Sequence, residues 1–133
     1  MGGIFDQASM VATILRVRDV AASVQWYREK LGLEPMHVGS DGPDHPIAAY
    51  TIAGSVVSLW QLPPGQARAT EDNDRNTYVV VVMNGGLEPA RRALIERGVD
   101  IGEIRRSENN EFVWCHDLDG NRWELSRPLP SRG

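Results

Sequence analysis

The chain has 133 residues, enough for one domain or two small fused modules, and its 41% hydrophobic and 24% charged residues are those of an ordinary globular protein. Its formal net charge is −4 with no Lys/Arg cluster, which argues against nucleic acid or an anionic membrane as a partner. No apolar run reaches the ~18 residues that a membrane-spanning helix needs, the opening MGGIFDQASM lacks the order of a secretory signal, and the one cysteine, Cys115, excludes an internal disulfide; a cytoplasmic location is expected.

In chain order, residues 11–17 (VATILRV) read as a β-branched strand. Asp19 is placed to cap the helix that follows, along which Val20, Val24, Tyr27 and Leu31 recur at helical spacing. Gly32 ends that helix, since glycine takes the left-handed cap conformation cheaply. Three short strands are expected next, over 34–38, 47–52 and 56–62. A Pro- and Gly-containing loop leads to a second apolar strand at 77–83 (TYVVVVM) and a helix over 87–97 with Leu87, Ala90 and Leu94 on one face. Strands near 101–105, 111–116 and 121–126 complete the chain, and Asp117-Leu118-Asp119-Gly120 reads as the hairpin turn between the last two.

The order of elements repeats. The two apolar strands begin 66 residues apart; Gly32 and Gly98, Gly54 and Gly120, and Leu59 and Leu125 are each separated by 66 as well. The sequence therefore reads as an α+β chain of two tandem βαβββ modules, about 8–64 and 75–129, joined by a linker of about 65–74. The expected product is a curved mixed sheet with helices on its outer face and an open cavity on the other.

Val17-Arg18-Asp19-Val20-Ala21-Ala22-Ser23, followed by Trp26-Tyr27 and Leu31-Gly32-Leu33, resembles the first-module signature of the vicinal oxygen chelate superfamily, the glyoxalase, bleomycin-resistance and extradiol-dioxygenase group. Asp117-Leu118-Asp119-Gly120-Asn121 with Glu124-Leu125 resembles its second-module ending. The resemblance implies a metal held by two first-strand residues, usually His, and two last-strand residues, usually Glu. Carried over by the motifs, these positions are Ala12, Ser58, Tyr78 and Glu124, of which only Glu124 is a strong ligand. No family-type metal and no other cofactor is expected. His37 and His45 lack metal-ligand spacing, and no nucleotide-binding loop or nucleophile elbow is present.

Strand alternation divides the side chains between the two faces. With Glu124 facing inward, Arg122 does too, while Trp123 and Leu125 face the helices. The expected cavity lining is Ala12, Ile14, Ser58, Trp60, Tyr78, Val80, Trp114, His116 and Glu124. Trp26 and Trp123 are expected between helix and sheet, Cys115 in the core, and Asp117 and Asp119 in the turn.

Aromatic rings with few polar groups suit a small aromatic or apolar organic molecule. One reading is a metal-independent binding protein similar to the antibiotic-sequestering branch of the superfamily, which implies a homodimer. The other is a lyase, epimerase or isomerase, metal-independent or atypically metal-dependent, that uses Glu124 as base with His116 as partner acid. The sequence leaves the choice between binding protein and enzyme open.

Overall fold

The computed structural model describes residues 3–66 and 76–130. Twelve segments follow one another: β1 (Ala12–Val17), α1 (Val20–Trp26) continuing into a π-helical turn (Tyr27–Leu31), β2 (His37–Ser40), β3 (Pro46–Ile52), β4 (Ser55–Gln61), β5 (Val79–Val82), α2 (Leu87–Glu96), β6 (Asp100–Ile101), β7 (Arg105–Arg106), β8 (Asn110–His116) and β9 (Arg122–Pro128). The chain is α+β, with two sheets and two α-helices among the described residues. It divides into two compact units. One holds residues up to 24 together with those from 33 through the end of β4; the other holds 25–32 and everything from β5 onward. The expected linker is described only at its edges, because residues 67–75 lie outside the described set.

The first unit carries a sheet in the order β1-β4-β3-β2. β1 runs parallel to β4, with Ala12 opposite Val56 and Ile14 opposite Ser58. Alternation in β1 sends Leu15 and Val17 into the core and leaves Ile14 and Arg16 outside. Leu59, Tyr50, Ala48 and Val17 complete a core in which each is at most 1% exposed. Burial of a side chain such as Leu59 contributes about 1.5–3 kcal/mol. Ala53 and Gly54 both take positive φ, 48° and 80°, and form the two-residue turn that pairs Ile52 with Ser55.

Helix α1 begins as its sequence requires. The Asp19 carboxylate accepts from the Ala22 N–H at 3.1 Å, and the Gln61 amide oxygen accepts from the Val20 N–H at 2.9 Å. The regular α pattern then widens into the π-helical turn, which ends at Gly32 with φ 68°.

The second unit carries a sheet in the order β5-β9-β8-β6, with β7 also on β8. The strand expected near 101–105 is thus split in two. Gly102 joins the Trp114 carbonyl instead of continuing the regular ladder. The π-helical turn belongs to this unit. There Tyr27, fully buried, donates its hydroxyl hydrogen to Asp117 Oδ2 at 2.6 Å and accepts from the Trp123 indole at 3.1 Å. Asp117 Oδ1 takes the backbone N–H groups of Asp119 and Asn121, and Oδ2 also takes the Asn121 side-chain amide. Asp117 is thus a turn residue and also the acceptor for a buried network. Lys30 reaches the last turn of α2, donating to the Arg97 carbonyl at 2.6 Å. Cys115 lies in the core, and burial, aided by the charges of Asp117 and Asp100, pushes its thiol up to about 11.

Candidate functional site

Each sheet has a face turned away from its buried core residues. On the first sheet the ladder registers bring Ala12, Ile14 and Arg16 of β1 to one side with Val56, Ser58 and Trp60 of β4. Ile14 is 48% exposed and Ser58 half-buried. The Arg16 guanidinium stands 5.7 Å from the centre of the Trp60 ring. Arg16 was not among the expected site residues, although alternation two positions beyond Ile14 was the signal for it.

On the second sheet Val80, Glu124 and Trp114 form one row across β5, β9 and β8, and Arg122 and His116 form the next. The Trp114 indole N–H donates to Glu124 Oε1 at 2.8 Å. Arg122, only 7% exposed, lies with its guanidinium 4.0 Å from the Trp114 ring centre and 4.9 Å from that of Tyr78. Its charge is therefore held between two aromatic rings, a favourable placement because ring faces carry negative potential. His116 pairs in register with Arg122 and has its Nδ1 3.8 Å from the exposed Asp100 carboxylate.

Two further members were missed by the sequence reading. Phe112, two residues before Trp114 on the same face, packs against it with ring centres 5.6 Å apart. Arg105, from β7, lies 5.2 Å from the Trp114 ring centre. Alternation alone could have found Phe112. Arg105 was hidden because its strand is two residues long and its register with Phe112 is a tertiary fact.

The opposite side of this sheet is structural. Trp123 meets Tyr27 edge-on at 5.7 Å, and Trp26 touches Tyr27 at 5.4 Å. The buried Glu111 carboxylate is 3.0 Å from Arg127 Nε and 3.5 Å from Arg106, an ion pair whose Arg127 contact lies outside hydrogen-bonding geometry.

The four positions at which the superfamily holds its metal do not make a donor set here. Ala12 has no donor atom. The Tyr78 ring is covered by a guanidinium, which disfavours a second cation beside it. Glu124 already accepts from Trp114 through one oxygen. Among the described residues, no three His, Cys, Asp or Glu side chains converge as a metal would require.

Solved structures share the fold at low identity. A glyoxylase/bleomycin resistance protein/dioxygenase domain from Frankia sp. EAN1pec matches with TM-score 0.71 and 17% identity, over 97% of this chain and 99% of that one. The fosfomycin resistance protein FosX from Listeria monocytogenes, as a variant complexed with Mn(II) and dihydroxypropylphosphonic acid, matches with TM-score 0.68 and 13% identity, over 89% and 90%. TnmS3, an antibiotic binding protein from Streptomyces sp. CB03234, matches with TM-score 0.63 and 19% identity, over 92% and 98%. No curated protein matches the sequence. The family model of the Glyoxalase/Bleomycin resistance protein/Dioxygenase superfamily matches residues 8–125, and the chain belongs to that superfamily.

Proposed function

We propose that this chain is a metal-independent binding protein for a small organic molecule with an aromatic or apolar body, taken by the face that carries Tyr78, Val80, Trp114 and Glu124. The observation that carries this reading is the 2.8 Å hydrogen bond from Trp114 to Glu124. It fixes a half-buried carboxylate on an aromatic surface, where a charge without partners is costly. One carboxylate oxygen holds the ring in place. The other accepts no hydrogen bond from the described residues, which leaves it available to a ligand donor in this reading. Superfamily relatives that include an antibiotic binding protein and a fosfomycin resistance protein give the reading its context.

The test is incubation with a panel of aromatic compounds, followed by recovery of the ligand and titration of tryptophan fluorescence. Quenching with intact ligand supports binding. A ligand returned chemically altered overturns it in favour of the second reading, proton transfer with Glu124 as base and His116 as acid, which rests on the same open carboxylate oxygen. Elemental analysis of protein purified without chelator tests metal independence, and stoichiometric Zn, Ni, Fe or Mn removes that part. We propose a homodimer on the strength of the family resemblance; light scattering that gives the monomer mass throughout removes it. A cytoplasmic location is likewise proposed, and no helix among the described residues is long and apolar enough to cross a membrane.

A further inference from the structure

Ahead of β1 the chain forms a closed turn. The Gly3 N–H donates to Asp6 Oδ2 at 2.7 Å, the Asp6 N–H to the Gly3 carbonyl at 3.2 Å, and the Ala8 N–H to the Phe5 carbonyl at 2.9 Å. The turn is thus shaped by its own groups, yet it presents Ile4 and Phe5 at 94% and 83% exposure. Met10, Val11 and Ile14 continue the exposed apolar run into β1. Single exposed apolar residues are ordinary, but a shaped segment that turns five of them to water is a surface suited to contact.

β1 is the edge of its sheet, with β4 as its one ladder partner among the described residues. The Val11 and Val17 carbonyls accept from the Val56 and Leu62 N–H groups on the β4 side. Backbone groups alternate in direction along a strand, so those of Ala12, Ile14 and Arg16 point to the open edge. Edge strands are commonly guarded by charged side chains or proline. Residues 7–15 hold neither. The charges stand just outside this stretch and are opposite in sign, Asp6 five positions before Val11 and Arg16 five positions after it.

Resting on the homodimer proposed above, we infer that two copies of this chain join by antiparallel pairing of residues 8–14 about a two-fold axis at Val11. In this register Ala12 of each copy meets Met10 of the other and Ile14 meets Ala8, so the backbone groups at the two open edges face one another. Asp6 of each copy comes beside Arg16 of the other, and the turn with Ile4 and Phe5 reaches the end of the second copy's β1 near Val17. Parallel pairing in register would instead set Asp6 on Asp6 and Arg16 on Arg16, and like charges directly opposite are destabilising. A different protein would have to match both the uncharged stretch and the order of the charges that flank it. A second copy matches both by symmetry, and the contact closes on itself.

The test is the mass of the full chain against concentration, by analytical ultracentrifugation at low salt. Ala12→Pro removes an outward N–H at the first residue of β1, a position where a strand tolerates proline. It is expected to raise the dissociation constant about tenfold or more, since the symmetry removes the bond twice, with the circular dichroism of the fold unchanged. Asp6→Arg sets like charges together in both flanking pairs, and so does Arg16→Asp. Each variant alone is expected to weaken its own dimer roughly fivefold, and a mixture of the two to form the heterodimer in preference to either homodimer, because every flanking pair is then opposite in sign. Added salt should erase that preference. A wild-type dimer whose affinity survives Ala12→Pro, or charge variants that show no preference for each other, overturns the inference and leaves the homodimer standing. A wild type that stays monomeric at every concentration overturns both.

Discussion

The two sheets share a strand order and differ in what they bury. In each, the first strand lies at an edge and runs parallel to the last strand of its group, β1 on β4 and β5 on β9. The first unit closes over apolar side chains, and its one buried polar residue in the described set is Ser23. The second buries Glu111, Asp117, Asn121, Arg122 and Ser126. Apolar packing tolerates exchange among side chains of similar size, whereas a satisfied polar network tolerates almost none, because each lost partner leaves a buried group unpaired. The second sheet therefore holds its side chains in fixed directions, and it is there that Trp114, Arg122 and Glu124 are oriented.

The largest test of this contrast is Asp117→Ala. Its carboxylate accepts from two backbone N–H groups, the Asn121 amide and the Tyr27 hydroxyl. We expect a loss of about 3 kcal/mol or more in chemical denaturation. The residue 66 positions earlier is Thr51, exposed, with its hydroxyl on Met36 sulfur; Thr51→Ala should cost under about 0.5 kcal/mol. Equal losses at the two positions would erase the contrast.

The next effect is a pH dependence confined to the second unit. The Cys115 thiol titrates near 11 in the folded chain against 9.0 for the ordinary value. The folded state thus keeps a proton that the unfolded chain releases. The contribution is fully present below pH ~9 and is lost as pH rises toward ~11, with a ceiling of about 2–3 kcal/mol. Denaturation curves of wild type and Cys115→Ala should converge over this interval. Parallel curves would mean that the thiol is not shielded.

Glu124→Gln comes third. Glutamine still accepts from the Trp114 indole but carries no charge, so melting should change little. Affinity for a ligand with a donor hydrogen should fall by about 1–3 kcal/mol, read by calorimetry. Ser58→Ala, 66 positions earlier on the first sheet, should leave that affinity within about twofold. Loss of turnover by 10²–10⁴-fold with binding preserved, roughly the general-base range, would favour the enzyme instead.

The smallest effect belongs to the first unit alone. Ala53 occupies positive φ in a two-residue turn, a position where Asn costs less than Ala. Ala53→Asn should raise stability by about 0.5–1 kcal/mol in thermal melts, with ligand affinity unmoved.

Much of this was legible in the sequence where the cause is local. Gly32 and Gly98, and Gly54 and Gly120, were paired by spacing, and all four take positive φ, between 68° and 83°. Alternation set Trp114 opposite Glu124 and Cys115 in the core. Asp19 caps its helix as its side chain suggests. What stayed hidden depends on residues distant in the chain. The bond from Tyr27 to Asp117 spans 90 positions, and no pattern within either segment announces it. The widening of α1 into a π-helical turn was likewise invisible, since the apolar stripe Val20, Val24, Tyr27 and Leu31 fits regular α spacing equally well. The hydrogen bond from the Trp114 indole to Glu124 was hidden as well, because alternation gives the shared face and not the direction of the side chains on it.

The Tyr27 network also imposes an order on synthesis. Tyr27 is made 96 positions before Trp123, whose indole it accepts. A ribosome adding roughly 5–20 residues per second leaves that ring without its partners for on the order of 5–20 s. Ribosome-bound chains stalled before Asp117 should be cut by chymotrypsin after Tyr27, and chains extended far enough to clear the exit tunnel should resist. If short and long chains resist alike, the ring has found cover elsewhere during translation. Otherwise each new chain passes through an interval in which the Tyr27 ring waits for partners that only the last two strands and their turn supply.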